Sequence, residues 1–171
     1  MVVAGGSGPS EWVLLCYRLP REPSRPRIAL WRRLKRLGAA QLGDGLVALP
    51  ADARTREQLE WAAEEVLEAA GTASVWLARP DDAAQEREVA AGLAAARAAE
   101  YTAVADAAAS VLLEGPAEQA RTLRRLRQLY REITRRDFFP PAERDRATAA
   151  LQTLAAAVAA ASESTPAGRA R

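Results

Sequence analysis

The alternation of short β-forming runs with helix-forming segments over residues 11–80 limits the possible folds of this chain more than any other feature. Apolar runs rich in β-formers predict four strands, near residues 12–18, 39–43, 45–49 and 73–79. Segments with helical periodicity lie between them, near residues 26–37 and 55–70. The order β-α-β-β-α-β predicts an α+β, ferredoxin-like half, in which four antiparallel strands carry two helices on one face.

The first predicted helix has start and stop signals in the sequence. Ser24 is predicted to cap it, Pro26 suits its first turn, and Gly38 is predicted to end it. One face of the helix is apolar and is expected to lie in the core; it carries Leu30, Trp31, Leu34 and Leu37. The opposite face is basic and carries Arg32, Arg33 and Arg36, with Lys35 at the border.

Turn and capping signals also delimit the second half of this pattern. The glycines of Gly43-Asp44-Gly45 predict a tight turn that joins two short strands into a hairpin. Thr55 followed by Gln58 fits a capping box at the start of the second helix, and Gly71 is predicted to close that helix. The residues of this helix expected to face inward are Leu59, Ala62, Val66 and Ala70.

After Pro80 the chain becomes rich in alanine and helical in pattern. Asp81 or Asp82 is predicted to cap a long helix that reaches about Glu114, where Gly115-Pro116 breaks it. A second helix, near 117–136, has a narrow apolar seam suited to antiparallel packing, made of Leu123, Leu126, Tyr130 and Ile133. A third helix, near 142–161, has an apolar side made of Ala147, Leu151, Leu154 and Val158.

These patterns predict a ferredoxin-like unit followed by a three-helix antiparallel extension. The predicted organisation is a disordered tail, an α+β unit, a helical extension and a second disordered tail, over residues 1–10, 11–80, 81–161 and 162–171. Between the last two helices, Pro140 disfavours helix at Phe139, so Phe138 and Phe139 are expected to pack at the turn there or against the α+β half. The alternative is an exposed pair at a partner interface.

Composition argues against catalysis and metal binding. The chain has no histidine and one cysteine, Cys16, which is expected to be a buried core residue of the first strand. It therefore lacks the commonest general base and the usual ligands of structural zinc, and we predict no enzyme activity, no metal and no cofactor. The single cysteine fits a reducing compartment, and no signal peptide or membrane-spanning run is apparent, so a cytoplasmic protein is expected.

One segment has a concentration of positive charge that could bind an anion. Between Arg18 and Arg36 there are eight basic residues and a single acid, Glu22. A proline-stiffened loop leads into the first helix, whose free N–H groups and dipole favour anions, and guanidinium groups match phosphate oxygens. The candidate nucleic-acid or oxyanion site consists of Arg18, Arg21, Arg25, Arg27, Arg32, Arg33 and Arg36. The alternative is a solvated arginine-rich face.

A second basic stripe lies on the helix near residues 117–136. It consists of Arg121, Arg124, Arg125, Arg127, Arg131, Arg135 and Arg136. Between the two basic regions, residues 61–120 are predominantly acidic. The segments could therefore neutralise one another within or between chains, or either stripe could contact nucleic acid.

Several motifs resemble the N-terminal domain of the chromate-resistance regulator ChrB. They are Leu19-Pro-Arg-Glu-Pro-Ser-Arg-Pro-Arg27, Trp31-Arg-Arg-Leu-Lys-Arg-Leu-Gly38, Gly43-Asp-Gly-Leu-Val-Ala-Leu-Pro50, Thr55-Arg-Glu-Gln-Leu-Glu-Trp61 and Arg136-Asp-Phe-Phe-Pro140. The resemblance covers roughly residues 11 to 160. It implies a dimeric, DNA-binding regulator of chromate-responsive genes, with chromate or another oxyanion as a further partner. ChrB-type proteins continue into a second domain, so steps that need that domain are expected to lie outside this chain.

The first half is also similar to the Cas2-like domain of phenylacetate repressors, which favours the ferredoxin-like interpretation. Cas2-like nucleases carry an acidic metal ligand at the end of the first strand, where this chain has Tyr17-Arg18-Leu19. Nuclease activity is therefore not expected. The hypothesis is a chromate-resistance regulatory or accessory protein that binds DNA through its basic loop and first helix. The alternative is a protein–protein interaction module without nucleic-acid binding.

Overall fold

The apolar run at Trp12–Arg18 forms β1, the strand on which the rest of the sheet is built. The computed structural model describes residues 11–163. After β1 the elements are α1 (Ser24–Leu37), β2 (Ala40–Gly43), β3 (Leu46–Pro50), α2 (Ala53–Glu68), β4 (Thr72–Ala78), α3 (Ala83–Ser110), α4 (Pro116–Thr134) and α5 (Glu143–Glu163). A single 3₁₀ turn, Val111–Leu113, continues from the end of α3.

The four strands form one antiparallel sheet in the order β2-β3-β1-β4. The predicted α+β fold, β-α-β-β-α-β followed by helices, is confirmed. Leu15 of β1 lies opposite Val47 of β3 and Val75 of β4. Because side chains alternate along a strand, Val13, Leu15, Val47 and their neighbour Leu49 share one face, and each is at most 1% exposed.

Helices cover this face of the sheet. Helix α2 packs against β1 and β4, and α1 packs beside α2. The side chains that α2 buries include Leu59, Ala62 and Val66, as their spacing predicts. Helix α1 buries Leu30 and Leu34. Burial of such aliphatic side chains is the main favourable term for this unit, at about 1.5 to 3 kcal/mol for each large one.

The chain divides into two compact units, the first ending at Leu93 and the second beginning at Ala94. The division falls inside α3, whose first turns belong to the first unit and contribute a hydrogen bond from Trp12 Nε1 to Glu86, 3.3 Å long. The boundary after residue 80 remains a prediction. The predicted tail 1–10 lies outside the described residues, as does 164–171, while Ser162 still belongs to α5.

The second unit has its own core between α3, α4 and α5. The seam of α4 is buried at Leu123, Leu126 and Ile133, and the apolar side of α5 is buried at Ala147, Leu151 and Leu154. From α3, the core receives Tyr101, Val104, Ala105 and Ala108. The predicted apolar sides of the last two helices therefore form this core, with Tyr130 and Val158 partly buried against it.

The structure corrects two of the predicted helix caps. Helix α1 begins at Ser24 itself, with Pro23 at the N-cap and no side-chain cap hydrogen bond. The capping box of α2 uses Asp52 as N-cap, whose carboxylate accepts from the N–H of Thr55 at 2.6 Å. Thr55 is therefore the third helical residue and not the cap, because an aspartate three positions earlier supplies the stronger acceptor.

Gly38 and Asp82 lie at helix ends as predicted, whereas Gly71 does not. Gly38 ends α1 in the left-handed conformation (φ 73°), as expected. Asp82 caps α3 by accepting from the N–H of Ala84 at 2.7 Å. Helix α2 stops at Glu68, and the left-handed residue after it is Ala70, not Gly71. After α4, Phe138 and Phe139 lie outside any helix, as Pro140 predicts, and both are half-buried.

Gly71 is needed for close packing where β4 begins. A Cβ atom there would lie 2.5 Å from the Arg18 carbonyl oxygen and 2.7 Å from Val66 Cγ1. We expect Gly71→Ala to lower the free energy of unfolding by about 1 to 3 kcal/mol, because backbone atoms must move to admit the methyl group. Urea denaturation measures this. Gly92→Ala is the control: a Cβ at Gly92 meets no atom within 4 Å, so that variant should gain stability, by about 0.5 to 1 kcal/mol.

Tyr101 makes the stability of the second unit sensitive to alkali. Burial, followed by its interactions with Asp137, raises the pKa of its phenol from 10.0 to about 12. The folded state thus holds this proton more tightly than the unfolded chain, so the stabilisation is complete below pH 10 and is lost as the pH rises toward 12. The free energy of unfolding should therefore fall by about 2 to 3 kcal/mol over this pH range. In urea denaturation at pH 9 to 12, the free energy of unfolding of Tyr101→Phe should lack this pH dependence. A variant with the same pH profile as the wild type would contradict the prediction.

Candidate nucleic-acid interface

The loop between β1 and α1 brings positive charge to an uncapped helix start. Strand β1 ends at Arg18 and α1 begins at Ser24. The first turn of α1 contains no acidic residue, and no side chain caps its N–H groups. Such an end presents partial positive charge and free donors, to which Arg25 and Arg27 add full charges.

An open cleft of about 1180 Å³ lies beside this helix start. One side comes from α1, another from the end of β1, and a third from the hairpin that joins β2 and β3. Its lining residues are Tyr17, Arg18, Leu19, Ser24, Arg27, Ile28, Trp31, Arg32, Gln41, Asp44 and Gly45. The cleft is therefore cationic toward α1 and the end of β1, with a polar hairpin opposite.

The structure brings together three of the seven arginines predicted for the site. Arg18, Arg27 and Arg32 line the cleft, and all three are exposed. Arg27 also donates from Nη1 to the Arg21 carbonyl oxygen at 3.3 Å, which ties the loop to the helix. The other exposed candidates, Arg21, Arg25 and Arg36, do not line the cleft.

Arg33 is placed differently from its predicted position on the outer face. Its side chain is only 21% exposed and forms an ion pair with Glu65 of α2. The pair joins the two helices that cover the sheet. Because its charge is already matched, Arg33 serves the packing of α1 on α2 and adds little to a phosphate site.

Trp31 is the main error of the sequence interpretation of α1. It was expected in the core with Leu30 and Leu34, but it is 54% exposed, and Ile28 one turn earlier is 47% exposed. Both line the cleft. Ile28, Trp31 and Lys35 follow a 3–4 spacing of their own, a second stripe on the helix that could have been recognised from sequence.

The hairpin side of the cleft is polar. Burial raises the pKa of the Tyr17 phenol; a hydrogen bond with Gln41 opposes this shift, and the charge of Asp44 adds to it. The Gln41 amide nitrogen donates to backbone carbonyl oxygens of the hairpin, at Gly43 and, at 3.4 Å, at Leu46. The side-chain oxygens of Gln41 and Asp44 therefore make this side rich in acceptors.

The second basic stripe is partly matched by acids. Arg121 pairs with Glu118 at 3.2 Å, and Arg136 pairs with Glu100 at 2.8 Å. Arg124, Arg125 and Arg127 are exposed on α4. At least two of the seven arginines of this stripe are thus paired with acids, and none of the seven lines the cleft beside α1.

Other kinds of site are not found in the part of the chain that the structure describes. Within residues 11–163, no group of three or more histidine, cysteine, aspartate or glutamate side chains is placed to hold a metal ion. No helix in that range is both long and apolar enough to cross a membrane. Cys16 is half-buried and not disulfide-bonded, so its expected full burial in the core is not observed.

Comparison with known proteins identifies the family. No curated protein matches the chain. Residues 27–166 match the family described as "Protein ChrB, N-terminal", a range that covers α1 from its fourth residue, strands β2 to β4, α2 and the three later helices, but not β1 or the basic loop before α1. Since the match extends over most of the sequence and contains four of the five motifs quoted above, all but the one at residues 19–27, this chain belongs to the ChrB N-terminal family.

Proposed function

We propose that this chain is a regulatory or accessory protein of chromate resistance that binds DNA through the cleft beside α1. The observation that carries the proposal is the convergence of Arg18, Arg27 and Arg32 on one cleft at an acid-free helix start. Forked guanidinium groups suit phosphate oxygens better than point charges do. Membership of the ChrB N-terminal family supports the link to chromate resistance.

The arginines act as phosphate contacts in this proposal. Such contacts set affinity and orientation and carry no sequence information by themselves. Any choice of operator must then come from groups that reach base edges or from a second copy of the chain, and a homodimer is part of the proposal.

In this proposal, chromate releases bound DNA from the cleft by competition. It is a tetrahedral dianion with the shape of sulfate, so it competes with backbone phosphate for the same guanidinium groups. At matched ionic strength, chromate and sulfate are expected to lower DNA affinity more than chloride does. An effect of chromate in excess of sulfate would mark a specific response of this chain.

The test is the binding of the wild-type chain to a short random duplex, followed by fluorescence anisotropy at several salt concentrations. Affinity should fall linearly on a log–log plot between about 50 and 200 mM salt, because bound arginines displace condensed counterions. Absence of binding at the lowest salt concentration, both to this duplex and to its separated strands, would refute the proposal.

A protein–protein interaction module is the second candidate. It is favoured by exposed apolar side chains on α2 and β4: Leu67 is 55% exposed, Trp76 59% and Leu77 53%. Trp76 and Leu77 are consecutive in β4 and lie on opposite faces of the sheet, so each face of this strand presents an apolar side chain to a partner. Sedimentation of the chain over a range of concentrations distinguishes the two. Self-association without DNA binding would favour this candidate, and Leu77→Glu should then weaken the association.

A further inference from the structure

The exposed indole of Trp31 lies among cations in a concave site. Single exposed apolar residues are ordinary on protein surfaces and need no explanation. Trp31 differs because Ile28 lies beside it, Arg27 and Arg32 flank it, and all four line the same cleft. A flat apolar surface next to phosphate-binding side chains is the combination that proteins use to bind unpaired nucleotides.

The Lys35 ammonium group contacts one side of the Trp31 indole. It lies 4.6 Å from the centroid of the Trp31 ring, a cation–π contact. Trp31 lines the cleft whereas Lys35 does not. Lys35 therefore contacts the indole without lining the cleft, and this contact restricts the rotation of the indole before a ligand arrives.

The two sides of the cleft differ in charge. Arg18, Arg27 and Arg32 attract phosphate, while Asp44 on the hairpin side repels it. The Gln41 side chain already donates to the hairpin backbone and hydrogen-bonds Tyr17, so the exposed Asp44 carboxylate is the main acceptor that this side offers a ligand. Acceptors on this side suit the N–H donors of a base edge.

We infer that the cleft binds an unpaired nucleotide, with its base stacked on Trp31, its phosphates on the arginines and its edge toward Gln41 and Asp44. The inference rests on the proposed DNA binding and specifies its substrate class as single-stranded segments. A base inside a duplex cannot present its face to an indole, so stacking of this kind requires an unpaired base.

The experiment compares a short oligothymidylate with a duplex of equal length for the wild-type chain, at one salt concentration. Duplex DNA has the higher charge density, so electrostatics alone favours the duplex. Tighter binding of the single strand must therefore come from contacts with bases. We expect the single strand to bind about fivefold more tightly or better, since stacking on an aromatic side chain is worth that much or more for each base.

Substitutions of Trp31 and Trp76 test whether the Trp31 indole is the group on which the base stacks. Trp31→Ala should weaken single-strand binding about tenfold while changing duplex binding less than about twofold, and Trp31→Phe should retain most of the affinity. Trp76→Ala, which removes an equally exposed indole from β4, should change neither. Equal effects of Trp31→Ala and Trp76→Ala, or a duplex preference in the wild type, would overturn the inference while leaving the proposed function standing. Binding of neither DNA would end both, and capture of an acidic peptide in competition with the single strand would assign the cleft to protein instead.

Discussion

Asp137→Ala is expected to lower the free energy of unfolding by about 3 to 5 kcal/mol, the largest loss of stability expected from any single change considered for this chain. The Asp137 carboxylate is fully buried, accepts a 2.9 Å hydrogen bond from the Tyr101 hydroxyl, and lies 3.6 Å from Arg144 Nη1. Removing it deletes one of two acids that balance several arginines in the second unit. The cost comes mainly from the Tyr101 hydroxyl, which loses its acceptor, and from Arg97, whose side chain is 9% exposed, since Arg144 at 35% is partly solvated.

Arg97 belongs to the same buried cluster of charges, which also contains Glu100, Arg136 and Asp137. Its side chain is 9% exposed and pairs with Glu100 at 3.0 Å, yet its Nη1 atom is buried without a hydrogen-bond partner. Burial lowers the pKa of this guanidinium. Glu100 also pairs with Arg136, and the Asp137 Oδ1 atom is buried without a hydrogen-bond partner, so the acids and arginines of this cluster interact through their charges as well as through hydrogen bonds. Loss of either acid therefore affects the whole group.

Thermal and urea unfolding of three variants checks this expectation. Asp106 forms the matched control, because it pairs with Arg146 at 2.8 Å on the surface of the same unit, with both side chains 61% exposed. Asp106→Ala should cost less than about 1 kcal/mol. Asp137→Asn keeps an acceptor for Tyr101 and should lie between the two. If Asp137→Ala unfolds like Asp106→Ala, the buried cluster does not stabilise the unit.

Arg27→Ala combined with Arg32→Ala is expected to weaken DNA binding about tenfold or more at low salt, through the loss of two phosphate contacts. Both side chains are exposed in the cleft, so the free energy of unfolding should change by less than about 0.5 kcal/mol for each. Fluorescence anisotropy on several unrelated duplexes measures the effect. The loss should be similar for all of them, and a loss confined to one sequence would mean that these arginines read bases.

Much of the fold could be predicted because local signals agree with it. The apolar run of β1, the left-handed Gly38 and the seam of α4 each reflect interactions within a few residues. The order of elements then leaves few ways to pair four strands, and the observed sheet is the expected one.

The errors came from partners distant in sequence or from competing local signals. Arg33 was assigned to the outer face because its partner, Glu65, belongs to another helix. Trp31 was assigned to the core because α1 has two adjacent apolar stripes and only Leu30 and Leu34 are buried. Thr55 fits a cap by composition, and only the geometry shows that Asp52 takes that position.

The cleft itself was only half predictable. The cluster of arginines could be recognised along the sequence, since charge runs are visible without a structure. Its acceptor side could not, because Tyr17, Gln41 and Asp44 are brought beside α1 by strand pairing, in which the N–H of Tyr17 donates to the Gly45 carbonyl oxygen at 2.7 Å.

The salt dependence of DNA binding tests the central claim most directly. The slope of log affinity against log salt is measured for the wild-type chain, for Arg27→Ala with Arg32→Ala, and for Arg124→Ala with Arg125→Ala, which removes equal charge from the exposed face of α4. The account predicts that the first double variant reduces the magnitude of the slope by about two, and that the second leaves it unchanged. Equal reductions in both, or a change in the α4 variant alone, would contradict the assignment of the cleft as the DNA-binding surface.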